Sequence, residues 1–204
     1  MKILIGTPIH DSKDYSMEPW LKCVAELRHP ADLFMLDNSI GSDFAEKVRG
    51  YCAKLKVTNY KIAHIELPPE QKIYERVARS REVIRHEILN SDYDAWFTLE
   101  CDQIVPPNTL DELIKIMQAG DFMMVNHNGW DRKVPNYTVT DFNVSLIRRD
   151  CLEQYSFLLG FGTDPDMPDN WEPGEAWFKQ RVLKGGGSLA EVENVIKPIY
   201  HLDG

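Results

Sequence analysis

Two carboxylates separated by one residue, Glu100 and Asp102, have the types and spacing that most directly suggest chemistry in this sequence. They follow the apolar run Asp94–Leu99, which predicts a buried strand. Because side chains alternate along a strand, both carboxylates are expected on one face where the chain leaves the sheet. Hard oxygen ligands at an open edge suit Mg²⁺ or Mn²⁺, which retain positions for water and substrate phosphate. A solvated acidic turn is the alternative that these two residues leave open.

A third acidic residue, Asp37, follows another short apolar run, Ala31–Leu36. Ligands of open α/β sheets bind at the carboxyl ends of strands, so Asp37 is expected to accept hydrogen bonds from a ligand. An Asx turn that satisfies local backbone groups is the alternative. Trp171 lies in a stretch without periodicity, Gly160–Gly174, that has the length of a binding loop. Its ring is expected to stack on a ligand, with core packing as the alternative.

The elements that position these residues alternate between strands and helices in the first half of the chain. Strands are predicted at Lys2–Pro8, Ala31–Leu36, Tyr60–Leu67 and Asp94–Leu99. Helices are predicted around Trp20 to Leu27 and at Phe44–Leu55, Gln71–Leu89 and Thr109–Met117. Later elements are predicted at Phe122–Val125, Phe142–Ile147, Glu175–Leu183 and Leu189–Val192. The βαβαβαβ order favours an α/β fold with a mostly parallel central sheet and helices on both faces.

Composition limits the function classes. The 204 residues are 43% hydrophobic, which predicts a single domain spanning residues 1–204. A net charge of −9 opposes a nucleic acid polymer as partner, because such affinity comes largely from Lys and Arg contacts to phosphates. A small phosphorylated ligand stays compatible, since a metal ion can supply positive charge locally. The sequence has no apolar run long enough for a membrane span and no signal peptide, so a cytoplasmic location is expected.

Several common enzyme signatures are absent from the sequence. It contains no G-x-x-x-x-G-K-S/T loop and no G-x-G-x-x-G fingerprint, which argues against P-loop enzymes and dinucleotide dehydrogenases. The G-x-S-x-G elbow of simple hydrolases is missing as well. Four widely spaced cysteines form no C-x-x-C pair, so neither a zinc knuckle nor a redox motif is indicated.

The segment LECDQIVPPNTLDELI, residues 99–114, resembles the D-x-D region of GT-A glycosyltransferases, particularly family 2-like members. Further segments resemble that family's motifs in the same order along nearly the whole chain. These are Thr7-Pro8 at the first strand end, Leu36-Asp37-Asn38-Ser39, Ala78-Arg79-Ser80-Arg81, Gly174-Glu175-Ala176-Trp177-Phe178 with Arg181 and Gly185, and His201-Leu202-Asp203-Gly204.

The resemblance implies a single GT-A (Rossmann-like) domain that transfers a sugar from a nucleoside diphosphate sugar, of the UDP or GDP type, to a hydroxyl acceptor, expected to be a glycan. It implies that Mn²⁺ or Mg²⁺ is held by Asp102 and His201 with help from Glu100, and that Glu175 is the catalytic base of an inverting enzyme. The implied nucleotide-sugar contacts are Thr7, Pro8, Asp37, Arg79, Glu100 and Trp171.

Two departures from the family pattern keep other functions open. Glu100 stands where the family has the first Asp of D-x-D, and the Gly174-Glu175 segment lacks one residue or one carboxylate of the family's G-E-D. These departures favour, as an alternative, a non-catalytic module that binds a nucleotide sugar or a glycan. A nucleotidyltransferase is a further alternative, although its glycine-rich, basic first loop is missing from residues 6–11.

Overall fold

The fold is built around one mixed sheet, seen in a computed structural model that describes residues 1–68, 70–128, 144–158 and 173–203. The strands are β1 (Ile3–Ile9), β2 (Asp32–Asp37), β3 (Tyr60–His64), β4 (Ala95–Leu99), β5 (Gln103–Ile104), β6 (Met124–Asn128), β7 (Val144–Arg148), β8 (Leu189–Glu193) and β9 (Tyr200–His201). The helices are α1 (Asp14–Ala25), α2 (Asp43–Leu55), α3 (Ile73–Leu89), α4 (Thr109–Gly120), α5 (Arg149–Gln154) and α6 (Pro173–Lys184).

Within the described residues, seven strands form the sheet in the order β3-β2-β1-β4-β7-β6-β8. The pairings among β3, β2, β1 and β4 are parallel, as is that of β6 with β8, whereas β7 runs antiparallel to both of its neighbours. The predicted α/β class with a mostly parallel sheet is therefore confirmed. Strands β5 and β9 form a separate antiparallel ribbon.

Short elements account for most differences from the predicted ones. Strand β3 ends at His64 instead of Leu67, because Ile65 makes the last backbone hydrogen bond to its neighbour, to the carbonyl of Asp37 where β2 ends. A strand continues only where a partner backbone is present. The ribbon β5–β9 and helix α5 were not predicted, since two to six residues carry too little periodicity to be recognised.

Alternating side chains on the central strands divide the core between the two faces of the sheet. In β4, Phe97 packs in the cluster that contains residues of α1, α2 and α4, whereas Trp96 packs in the cluster that contains residues of α3, α5 and α6. Both rings are fully buried. Because helices cover both faces, β1 and β4 are mostly apolar and do not alternate regularly with polar residues. Each buried large side chain stabilises the fold by about 1.5–3 kcal/mol.

The order in which successive strands join the sheet reverses between β1 and β4. After β3, helix α3 carries the chain back across the sheet, so that β4 pairs with the free side of β1. Gly6 permits this close packing: a Cβ atom there would lie 2.4 Å from Cγ2 of Ile84 in α3 and 2.6 Å from Nε1 of Trp96. The carboxyl ends of strands that flank such a switch point border a ligand-binding crevice.

Strand β6 also anchors the C-terminal part of the chain. Nε2 of the buried His127 accepts a hydrogen bond from the backbone N–H of Ile196 at 3.1 Å. An acceptor nitrogen carries no proton, so this bond requires the neutral imidazole. Burial lowers the pKa of His127 below its usual 6.5, with a raising effect of Glu193 and a lowering effect of Lys197. The neutral ring therefore holds the segment that leads to β9.

We predict that this anchor makes stability fall on the acid side of the usual His pKa. Below pH 6.5 the unfolded histidine takes up a proton while His127 in the folded chain, whose pKa is lowered, resists doing so. The unfolded state then binds more protons, and the free energy of unfolding decreases until the pH falls through the folded-state pKa. In His127→Gln, which offers an acceptor that does not titrate, this part of the decrease should vanish.

Urea unfolding of both proteins between about pH 8 and about pH 5 measures the effect. Because the two proteins have all other titrating groups in common, the difference between them reports on His127. The free energy of unfolding of the native chain should drop relative to that of His127→Gln as the pH is lowered. A difference between the two proteins that stays constant over this range would contradict the prediction.

Candidate functional site

The ribbon of β5 and β9 brings Asp102 and His201, two residues of the candidate metal site, together. Gln103 is the register partner of His201, and the N–H of Leu202 donates to the carbonyl of Asp102 at 2.7 Å. As a result Nε2 of His201 lies 3.3 Å from Oδ2 of Asp102. A contact between residues so far apart in sequence arises only from the tertiary structure.

Glu100, Asp102 and His201 form a set of three metal-ligating side chains. One oxygen or nitrogen from each lies within 4.8 Å of the others. Two atoms bound at right angles to a metal at about 2.1 Å lie about 3 Å apart, close to the 3.3 Å between Asp102 and His201. Asp102 and His201 have side-chain exposures of 4% and 11%, whereas Glu100 is 39% exposed. The set thus fits a divalent cation that is held on the buried side and open at Glu100.

A lysine that the sequence analysis did not single out lies in this site. Nζ of Lys13, in the 3₁₀ turn Asp11–Lys13 after β1, is 2.5 Å from Oδ2 of Asp102. Burial lowers the pKa of Lys13, but the hydrogen bond to Asp102 and the attraction of its carboxylate outweigh burial, and the net pKa is raised. The ammonium is therefore charged at neutral pH. The only sequence signal was its place just after the first strand.

Thr7 and Pro8 lie where β1 ends beside β4. The buried hydroxyl of Thr7 donates to the carbonyl of Leu99 at 2.7 Å. This bond joins the two strand ends at the switch point and fixes where the chain turns toward Glu100. Pro8 is half-buried in the next position and is paired with Leu36 of β2. The nucleotide-sugar contacts predicted for these two residues stay predictions.

Asp37 closes β2 and is fully buried. One of its carboxylate oxygens accepts the N–H of Ser39 at 3.0 Å, which is the Asx turn that the sequence left open. The other oxygen lies 2.9 Å from Nδ1 of His64 at the end of β3. His64, which sequence reasoning did not single out, therefore shares this corner with Asp37. The nucleoside contact predicted for Asp37 stays a prediction.

Of the two α3 arginines in the family-like segment, Arg79 and Arg81, the second lies beside Glu100. Its guanidinium is 3.8 Å from Oε1 of Glu100, and its side chain is 7% exposed. Arg79, which the family motif favoured, is exposed on the same helix, and its contact with a donor stays a prediction. Residues two apart on a helix point in different directions, and the packing of α3 against the sheet is what turns Arg81 inward.

The remaining predicted residues are Glu175 and Trp171. Trp171 lies outside the described residues, as does the side chain of Glu175, whose backbone lies in the first turn of α6. That helix is held on the sheet by aromatic contacts. The ring of Phe178 stacks on that of Phe157 at 4.3 Å, and Phe157 meets Trp96 edge-on at 5.3 Å.

Comparison with solved structures identifies the fold, whereas no protein-family model and no curated protein sequence matches the chain. TarS 1–349 of S. aureus matches with a TM-score of 0.65 and 13% identity over 98% of this chain and 60% of that one. The same TarS fragment in complex with UDP-GlcNAc gives a TM-score of 0.66 at 12% identity, over 100% and 60% of the two chains. The mannosyltransferase PcManGT from Pyrobaculum calidifontis, in complex with GDP-Man and Mn²⁺, gives 0.69 at 13% identity, over 95% and 55%.

These structures share with this chain the GT-A fold, which confirms the predicted fold class. The chain spans 55% to 60% of the length of the matched proteins. In the described part of the chain, no helix combines the length and the apolar character needed to cross a membrane.

We predict that Asp37→Ala lowers the free energy of unfolding by about 1–3 kcal/mol. The substitution leaves the N–H of Ser39 and Nδ1 of His64 without their buried acceptor. Urea unfolding without ligand measures the loss. Glu66→Ala is the matched control, because Glu66 also lies near His64 but its side chain is 81% exposed. Equal stability of the two variants would show that the buried contacts of Asp37 contribute nothing.

Proposed function

We propose that this chain is a metal-dependent glycosyltransferase that moves a sugar from a nucleoside diphosphate sugar to a hydroxyl acceptor. One observation carries the proposal: Glu100, Asp102 and His201 converge where the chain leaves β4, whose carboxyl end lies beside that of β1. The matched structures with UDP-GlcNAc and with GDP-Man and Mn²⁺ support a donor of this class. A common fold alone would be compatible with other functions, so the argument depends on the site.

The donor set favours Mn²⁺ over Mg²⁺. Mg²⁺ prefers oxygen ligands, whereas an imidazole suits transition metals better. Asp102 and His201 would hold the ion from the buried side, and the more exposed Glu100 would complete the set or contact the donor ribose. When bound, the metal supplies a Lewis acid for the diphosphate oxygens and stabilises the charge of the departing nucleotide.

The ends of β1, β2 and β3 would bind the nucleoside. Thr7 and Pro8, near the carboxyl end of β1, would contact the nucleotide sugar. Asp37 and His64 form the corner at the ends of β2 and β3. Because the carboxylate of Asp37 is buried, its part in nucleoside binding would be to orient His64 and the turn at Ser39, and contact with the base or ribose would be made at this corner. Arg79 would add a cation from α3.

Glu175 would act on the acceptor. An inverting transfer needs a base that removes the proton of the acceptor hydroxyl as the sugar moves. Glu175 lies in the first turn of α6. The stacking of Phe178 on Phe157 and the edge-on contact of Phe157 with Trp96 hold this helix against the sheet. Trp171 would stack on a sugar ring of the donor or of a glycan acceptor.

We predict that binding of UDP or GDP requires Mn²⁺ or Mg²⁺. The variants Asp102→Asn and His201→Ala should each lose this metal-dependent binding. An amide is a poorer ligand than a carboxylate, and Ala offers none. Calorimetry with Mn²⁺ and with EDTA measures the effect. Asp92→Asn and His86→Ala are matched controls, because both side chains are exposed, at 80% and 60%, and neither belongs to the candidate set. Equal nucleotide affinity of the native chain with Mn²⁺ and with EDTA would remove the metal from the proposal.

Glu175→Gln is expected to lower the rate of transfer or of donor hydrolysis by roughly 10² to 10⁴-fold while donor affinity stays near that of the native chain, because a base acts on the acceptor. Glu87→Gln is the control, since Glu87 pairs with Lys61 on the surface of α3. Full activity of Glu175→Gln would exclude this residue as the base. Donor binding by the native chain without transfer or hydrolysis would instead indicate a binding module.

A further inference from the structure

The position of Lys13 presents an electrostatic conflict within the candidate metal site. Its ammonium and the imidazole of His201 approach the same oxygen of Asp102, Oδ2, at 2.5 Å and 3.3 Å. A divalent cation shared by Asp102 and His201 would lie against that oxygen as well. Two positive charges about 4 Å apart near a protein surface repel each other, and the repulsion is stronger when one of them is a divalent ion. The ammonium and the metal therefore compete for Asp102.

The structure allows Lys13 to leave Asp102. Its backbone is fixed, because its N–H donates to the carbonyl of His10 at 2.9 Å and its own carbonyl accepts from the hydroxyl of Ser16 at 2.7 Å. Its side chain, by contrast, is 40% exposed, and a lysine side chain rotates about four bonds. Nζ also lies 3.5 Å from the hydroxyl of Tyr15. Because the backbone is fixed and the side chain is partly exposed, the ammonium can move by several ångströms without unfolding the turn.

The chemistry of the donor indicates where the ammonium goes. A diphosphate bound to a metal at Glu100, Asp102 and His201 brings at least two negative charges to the place that Lys13 would vacate. Lysine is a common phosphate ligand that acts as a point charge. With a net charge of −9, the protein offers no general attraction for such an anion. A cation beside the candidate metal site therefore supplies a local attraction for the diphosphate that the net charge of the protein does not.

We propose that Lys13 is an exchangeable cation of this site, which neutralises Asp102 while metal and donor are absent and binds the donor diphosphate once the metal has taken its place. The inference rests on the proposed function for the identity of the donor. It makes metal and diphosphate binding mutually dependent: Lys13 opposes the metal when it binds alone and favours the metal and diphosphate together. Such reciprocal coupling is a thermodynamic property that binding measurements detect without any turnover.

The test compares the full chain with Lys13→Met, which keeps the length of the side chain and removes its charge. We expect Lys13→Met to bind Mn²⁺ alone about tenfold more tightly, because no ammonium competes for Asp102. With saturating Mn²⁺, we expect it to bind pyrophosphate about tenfold more weakly, because one phosphate contact is lost. Electron paramagnetic resonance of free Mn²⁺ measures the first affinity and calorimetry the second.

Two controls separate this role from other effects of the substitution. Lys115→Met removes the same charge from the surface of α4, where Lys115 pairs with Glu112, and should change neither affinity. Lys13→Arg keeps the charge and should restore weak Mn²⁺ binding. If Lys13 had only a structural role, Lys13→Met would bind both Mn²⁺ and pyrophosphate more weakly. Opposite changes in the two affinities therefore support the proposal. Weaker Mn²⁺ binding, unchanged Mn²⁺ affinity or unchanged pyrophosphate affinity overturns it.

The proposed function and this inference fail in different ways. Pyrophosphate carries no nucleoside, so the opposite changes at Lys13 do not depend on recognition of UDP or GDP. If these changes are found but neither nucleotide binds more tightly than pyrophosphate, the proposed donor class is wrong and the exchange at Lys13 stands. If UDP or GDP binds the native chain with Mn²⁺ but Lys13→Met behaves like Lys115→Met, the proposed function stands and the exchange is wrong.

Discussion

The parallel pairing of β1 with β4 is the constraint on which the candidate site depends. It requires α3 to cross back over the sheet, and it requires Gly6 where that helix and Trp96 approach β1. It places the ends of both strands side by side, where the hydroxyl of Thr7 binds the carbonyl of Leu99. Losing such a buried hydrogen bond costs about 1–3 kcal/mol. Glu100 and Asp102 leave the sheet at this point because the pairing ends there.

The two buried carboxylates of the site region differ in how their charge is balanced. Burying a carboxylate is costly unless it is paired and hydrogen-bonded. Asp37 is hydrogen-bonded to the backbone N–H of Ser39 and to Nδ1 of His64, which pairs with Asp37 in the sheet. Asp102 is paired with Lys13, whose side chain is 40% exposed and, in our proposal, exchanges to the donor. The first arrangement stabilises a corner of the fold, and the second leaves a charge available to a ligand.

The order and type of the main elements could be predicted because they depend on local patterns. The apolar runs that became β1, β2 and β4 are buried on both faces, and such runs are recognisable from composition. The spacing of Glu100 and Asp102 after β4 likewise placed both carboxylates at the strand end. Strand β3 was predicted too long because its end depends on where its neighbour β2 ends, and the sequence of β3 holds no information about that.

The choice between residues of equal type also lay beyond the sequence. Arg79 and Arg81 are two residues apart on one helix, and only the docking of α3 determines that Arg81 lies near Glu100. Lys13 and His64 belong to no motif, and each became notable only through a carboxylate from a distant part of the chain. Contacts of this kind join segments that are distant in sequence, so no local pattern encodes them.

By itself, the sequence determined an α/β sheet with carboxylates at the ends of its strands, because periodicity and residue type act over a few neighbouring positions. Only the tertiary structure decided which of these residues meet. The ribbon of the two-residue strands β5 and β9 brings His201 to Oδ2 of Asp102. The turn after β1 brings Lys13 to the same oxygen. The physical reason is that a binding site depends on distances through space, which arise only when the whole chain packs around one sheet.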